Sequence, residues 1–116
     1  MNDPRQLARI FKVLSVETRV RMLDMLKGRC LCVNALARAL EITPAAVSQH
    51  LRVLRDVGIV QAERKGYFVH YRVDQTTLAD WGQAAQQLLG PCKTGVAVCP
   101  PAGDPSRPNL RNDEGG

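Results

Sequence analysis

The segment Thr43 to Gly58, TPAAVSQHLRVLRDVG, carries stop signals at both ends and one apolar side. Thr43 offers a side-chain oxygen to the first amides of a helix. Pro44 stands where a missing N–H costs nothing, and Gly58 can take the left-handed conformation that ends a helix. Val47, Leu51 and Leu54 recur at i, i+4 and i+7, so the segment must lay one stripe against a core. Ser48, Gln49 and Arg52 fall largely outside that stripe. A shorter helical pattern, Val33 to Leu40 with Leu36 and Leu40 inward, precedes it across the turn Glu41-Ile42. Two such helices joined by a tight turn form a helix-turn-helix, with Thr43 opening its second helix.

The rest of the chain supplies what packs against that pair. Asp3 and Pro4 open a first helix whose apolar residues are Leu7, Ile10, Phe11 and Leu14. Ser15 is expected to cap a second helix, with Val20, Leu23, Leu26 and Met22 turned inward and Gly28 at its end. After Gly58 the period changes from 3.6 to two. Ile59 to Arg64 and Tyr67 to Val73 predict two strands joined at Lys65-Gly66, a hairpin with a basic tip. Tyr67 and Phe68 are expected to pack within the hairpin, and His70 to lie on its surface with no assigned role. Asp74 caps a last helix carrying Leu78, Trp81, Ala85, Leu88 and Leu89, which Gly90-Pro91 breaks. Residues 1–89 are therefore expected to form one winged helix-turn-helix domain, mainly α with a β-hairpin wing. Residues 90–116 hold five of the seven prolines and five of the nine glycines, which predicts a flexible tail carrying Cys92 and Cys99.

Charge narrows the partners. The net charge is +5, and residues 1–89 hold 13 Lys/Arg against 8 Asp/Glu, so the surplus belongs to the expected domain. Such a balance suits an anionic partner, and Ser48, Gln49 and Arg52 are residue types that read base edges and phosphates. No 18-residue apolar run is present and the N-terminus has no signal-peptide organisation, so a cytoplasmic protein without membrane spans is expected. There is no phosphate-cradling glycine loop, no nucleophile elbow and no paired carboxylates in an apolar setting, so an enzyme is not expected.

The first and last helices lie outside the reading head and leave apolar faces to cover. A two-fold homodimer through Leu7, Ile10, Phe11, Leu78, Trp81 and Leu88 would cover them and imply an inverted-repeat DNA site. The alternative is that both helices fold back on their own domain.

Three stretches carry a resemblance to a known family. They are Ile10-Phe11-Lys12-Val13-Leu14-Ser15 continuing through Thr18-Arg19, then Val47 to Arg55, then the wing with Gly66, Val69, Tyr71 and Arg72. Over about residues 5–89 the chain resembles the metal-responsive winged-helix repressors of the ArsR/SmtB family. That resemblance implies a homodimer that represses by binding operator DNA and is weakened there by an inducer ion. It also implies DNA contacts from Thr43, Ser48, Gln49, His50 and Arg52, with Arg64 and Lys65 of the wing on the backbone or minor groove. Many relatives have Gln where this chain has Pro44, which removes one polar contact at the helix start.

Arsenic- and cadmium-sensing relatives carry a thiolate pattern, E-L-C-V-C-D-L, ahead of the third helix. Placed by helix spacing, it falls on Cys30 to Leu36. Cys32 matches a family cysteine, Cys30 takes the Glu position, and Asn34 stands where the second Cys is expected. Thiolates select soft ions such as As(III), Cd(II) or Hg(II). Cys30 and Cys32 at i and i+2 can grip one ion only if Cys30 lies in the loop ahead of the helix. Cys92 and Cys99 are the further donors, from the same subunit or its partner. A dithiol/disulfide redox switch on the same residues, a plain core role for Cys32, and a winged helix that binds protein instead of DNA remain open alternatives. The Asp/His site of zinc- and nickel-sensing relatives is excluded, because Asp74 to Leu89 contains no His.

Overall fold

The computed structural model describes residues 3–91; Cys92, Cys99 and the rest of the expected tail lie outside the described residues. Five helices and one hairpin follow in the order α1 (Pro4–Val13), α2 (Glu17–Leu26), α3 (Val33–Leu40), α4 (Pro44–Asp56), β1 (Val60–Lys65), β2 (Phe68–Val73) and α5 (Gln75–Leu89). This is the winged helix-turn-helix architecture that the sequence predicts.

Three of the predicted caps form. Asp3 Oδ1 accepts from the Arg5 amide at 3.0 Å, Thr43 Oγ1 from the Ala46 amide at 3.1 Å, and Asp74 Oδ1 from the Thr77 amide at 3.0 Å. Each satisfies an amide that the first turn leaves without an intrahelical partner. Ser15 does not cap α2. Its hydroxyl donates to the Lys12 carbonyl at 2.7 Å and so closes α1, while Val16 precedes α2 without a side-chain bond. The inward face of α2 is also rotated from the expectation: Met22 and Leu26 are buried, but Val20 is 48% exposed. At its far end the Arg29 Nε donates back to the Met25 carbonyl at 2.8 Å, satisfying an orphan carbonyl.

The turn between α3 and α4 is made by Glu41, whose φ of 56° and ψ of 45° are left-handed. A side chain in that region costs on the order of 1–2 kcal/mol. In exchange the Ile42 amide donates to the Ala37 carbonyl at 3.1 Å, and Thr43 is already the cap of α4. Gly58 ends the helix with φ 85°, as its position predicts.

The core is continuous. Ile10 and Val13 of α1, Met22 and Leu26 of α2, and Leu36, Ala37 and Leu40 of α3 meet Val47, Leu51 and Leu54 of α4. Ile59, Val60, Val73, Trp81 and Ala84 close it from the wing base and α5. Strands β1 and β2 pair antiparallel from Val60 opposite Val73 to Lys65 opposite Phe68. An isolated bridge between Leu31 and Tyr71 adds the chain ahead of α3 to the free edge of β2.

Candidate nucleic-acid interface

Burial sorts the residues of α4. Val47, Leu51 and Leu54 are at most 2% exposed and pin the helix to the core. Ser48, Gln49, Arg52 and Arg55 are exposed on the other side. An open groove runs beside them, lined by Ser48, Leu51, Arg52, Arg55, Asp56 and Tyr71, so β2 borders the polar edge of α4. At the start of the helix Thr43 is exposed, and its oxygen is used as an acceptor by Ala46. Its hydroxyl proton is left to donate outward.

Arg64 and Lys65 are exposed near the end of the wing. Among the described residues the one ion pair within 4 Å joins Arg72 Nε to Glu63 Oε1 at 3.6 Å, so Arg52, Arg64 and Lys65 keep their charges for an outside partner. Arg72 also donates to Gln61 Oε1 at 3.0 Å, and Gln61 Nε2 donates to Asp74. This series of hydrogen bonds fastens the base of the wing to the start of α5. The Thr77 amide, foremost among its hydrogen bonds, holds the Asp74 carboxyl below the usual carboxylate range.

His50 has a hydrogen-bond partner within the protein. It is half-buried, and its Nδ1 accepts from Arg19 Nε at 3.4 Å. Arg19 Nη1 donates in turn to the Val13 carbonyl at 3.2 Å. Burial first, and the neighbouring Arg19 charge second, push the imidazole below its ordinary pKa of 6.5. A neutral imidazole is what this hydrogen bond needs, since protonated His offers no acceptor. His50 thus ties α4 to the corner between α1 and α2, 31 residues back in sequence.

The hairpin end also differs from expectation. Tyr67 is 98% exposed and Phe68 65% exposed, so neither packs within the wing. Gly66 has φ 65°. With Lys65 and Phe68 as the last paired residues, only Gly66 and Tyr67 are left to turn the chain, and Tyr67 stands at the apex. His70 is half-buried instead of superficial, and its Nδ1 is buried without a hydrogen-bond partner among the described residues.

The cysteines ahead of α3 occupy extended chain. The Leu31 amide donates to the Tyr71 carbonyl at 3.0 Å, and the Tyr71 amide donates to the Leu31 carbonyl at 2.8 Å. Cys32 follows with φ −89° and ψ 168°. Leu31, between the two cysteines, packs against the core. Both thiols are half-buried. Cys30 borders a shallow hollow with Gly28, Arg29 and Arg72. Among the described residues no group of three His, Cys, Asp or Glu comes together to hold a metal ion. Two thiols on either side of Leu31 suit a soft ion in their chemistry, but are an incomplete ligand set.

Helices α1 and α5 pack against each other. Of the residues expected on a dimer face, Ile10 and Trp81 are only 3% and 7% exposed, because the protomer's own core uses them. Leu7 and Leu78 are half-buried. Phe11 and Leu88 do face outward, joined by Leu89, which is absent from the expected set and is 71% exposed. The outward apolar surface is therefore narrower than the sequence suggests and shifted towards the end of α5.

Comparison with known proteins gives consistent matches. The family model described as "Bacterial regulatory protein, arsR family" matches residues 17–62. The transcriptional repressor SdpR of Bacillus subtilis is 34% identical over 71 residues, covering 61% of this chain and 79% of that protein. An arsenic resistance transcriptional regulator of Pseudomonas putida is 43% identical over 65 residues, covering 55% of this chain and 51% of the regulator. The chain thus spans about half the length of that second relative. Among solved structures, a homodimeric winged helix-turn-helix DNA-binding domain from Mycobacterium bovis, described as a possible ArsR-family transcriptional regulator, superposes with a TM-score of 0.60 at 28% identity. The superposition covers 72% of this chain and 82% of that domain.

Proposed function

The chain belongs to the arsR family of bacterial regulatory proteins, whose members are DNA-binding regulators and not enzymes, and from that premise we propose a homodimeric repressor released from its operator by a thiophilic ion. The observation that carries the DNA-binding half is the exposed edge Ser48, Gln49 and Arg52 on a helix whose opposite side is pinned to the core. In this reading α4 enters the major groove. Ser48 and Gln49 face base edges, Arg52 and Thr43 meet phosphates or bases beside them, and Arg64 and Lys65 take the backbone near the minor groove. His50 positions the helix through Arg19. The dimer forms through the outward residues Phe11, Leu88 and Leu89, which would place two copies of α4 about one turn of B-DNA apart, roughly 34–36 Å.

Release is assigned to Cys30 and Cys32. The P. putida relative is an arsenic resistance regulator by name, which favours As(III) as the inducer; Cd(II) is the next soft ion of suitable chemistry. A bound soft ion supplies bonds that draw thiolates together. Cys30 and Cys32 would hold it, with Cys92 and Cys99 as the remaining donors. Leu31, between the two thiols, is hydrogen-bonded at both ends to Tyr71, and Tyr71 borders the groove beside Arg52. Strain at the dithiol would therefore reach the wing through β2, and α4 through α3, whose N-cap is Cys32. Ligation must favour the conformer that binds DNA poorly, or nothing shifts. A coupling on the order of 1–3 kcal/mol would weaken DNA binding by about 5–150-fold.

The test is operator affinity measured with arsenite and with cadmium, for wild type and for Cys30→Ser/Cys32→Ser. The proposal requires weakening by at least one ion in wild type and none in the variant. Equal affinity with and without both ions would remove the sensing role and leave DNA binding standing.

A further inference from the structure

The wing tip holds chemistry that neither the reading helix nor the basic strand end uses. The chain has one Trp, two Tyr and two Phe, and two of these five aromatics sit side by side at the end of the wing. Tyr67 is 98% exposed and Phe68 65% exposed. Neither is needed for the fold. The hairpin turn is set by Gly66, whose positive φ suits the first central position of a two-residue II′ loop. The wing base is held by Val60, Val73 and the Arg72–Gln61–Asp74 hydrogen bonds. Large apolar side chains kept in water at a tip mark an interaction surface when they cluster.

The neighbours of the pair say what kind of partner suits it. Lys65 is paired across the hairpin with Phe68, and Arg64 precedes it on β1. Cations flanking an apolar wedge are the pattern that meets a narrow groove walled by phosphates. The charges lie along the walls and the apolar tip reaches between them. The minor groove is about 6 Å wide, too narrow for the ribbon itself but wide enough for one side chain at its apex.

We propose that Tyr67, supported by Phe68, is an apolar wedge that enters the DNA minor groove beside each half-site, with Lys65 and Arg64 on the flanking phosphates. The inference rests on the DNA-binding reading above and adds an interaction that reads groove shape at positions outside the reach of α4. Because A·T pairs lack the guanine 2-amino group on the minor-groove floor, the wedge favours A·T pairs beneath the tip.

The experiment uses the full chain and a labelled duplex selected by the wild-type protein from a random-sequence pool. Affinity is measured against salt for wild type, Tyr67→Ala, Phe68→Ala and Lys65→Ala. The aromatic variants should bind about tenfold more weakly, in line with the removal of an aromatic ring from a base or sugar. Their dependence of log Kd on log salt should be unchanged, whereas Lys65→Ala should flatten it by about 0.9 for each phosphate that the lysine neutralises in wild type. Placing G·C pairs beneath the tip should weaken wild-type binding, inosine·C pairs there, which lack the 2-amino group, should restore it, and Tyr67→Ala should be indifferent to both. Wild-type DNA binding with unaltered affinity in both aromatic variants overturns the wedge alone. Failure of the wild type to select any duplex overturns the DNA-binding reading and the wedge with it.

Discussion

Thr43 has two roles that substitution can separate. Its Oγ1 accepts from the Ala46 amide at 3.1 Å, and its remaining hydroxyl proton is free to meet a phosphate. Thr43→Ala deletes both. Loss of an N-cap bond costs about 1 kcal/mol, which in a domain of this size lowers Tm by roughly 4–8 °C. Thr43→Ser keeps both and should match wild type in stability and DNA affinity. Thr43→Asp is the decisive variant. Aspartate caps as well as threonine, and its charge favours the helix N-terminus, so thermal stability should be equal or higher. Set against a phosphate about 4 Å away, the same charge is repelled by roughly 1–4 kcal/mol, depending on how wet the interface is. With two copies of α4 per dimer, affinity should fall by at least about tenfold, since each 1.4 kcal/mol is a factor of ten. Thermal melts and fluorescence-anisotropy titrations on the same preparations read the two effects. A Thr43→Asp protein that melts like wild type and also binds DNA like wild type would refute the placement of this helix start against the backbone.

Two further outcomes follow from the same geometry. Leu88→Glu changes a residue that is 59% exposed, so the protomer should stay folded while the dimer is lost, as read by sedimentation equilibrium; a variant still dimeric at low micromolar concentration would place the interface elsewhere. His50 has a folded pKa below its unfolded value near 6.5, so the unfolded chain binds more protons there and stability must fall as pH drops through about 6.5 towards the folded value. His50→Gln, which keeps an acceptor for Arg19, should reduce that slope in urea titrations between pH 7.5 and pH 5; an unchanged slope would assign the dependence to other groups.

Local chemistry made much of the fold legible in the sequence. Asp3, Thr43 and Asp74 cap where their spacing predicts, Gly58 turns where it must, and Val47, Leu51 and Leu54 are buried as their period requires. The failures have physical reasons. Helix α2 carries Val20, Met22, Leu23, Met25 and Leu26, apolar residues on several sides, so the pattern alone does not say which side turns inward. Ser15 lies one residue too early to cap Glu17, and the end of α1 takes its hydroxyl. The site was less legible than the fold because its key pairings are distant in sequence. Nothing local tells that Arg19 will meet His50, or that Leu31, between Cys30 and Cys32, will pair with Tyr71. Ile10 and Trp81 fit a dimer seam as well as a core by pattern, and only the approach of α1 to α5 assigns them to the core. The exposure of Tyr67 and Phe68 was hidden because a two-residue loop leaves Tyr67 at the apex and Phe68 in the last pair of the hairpin, with nothing to pack on, a matter of loop length that alternation does not register.

Binding of a selected duplex as a function of salt, with wild type beside Arg52→Ala and Gln49→Ala, tests the central claim most directly. The account predicts steep loss of affinity with salt for wild type, a slope flattened by about 0.9 for each phosphate that Arg52 neutralises, and poorer discrimination between sequences for Gln49→Ala. Identical slopes and identical sequence preference in all three proteins would contradict it, because α4 would then not be the element that meets DNA.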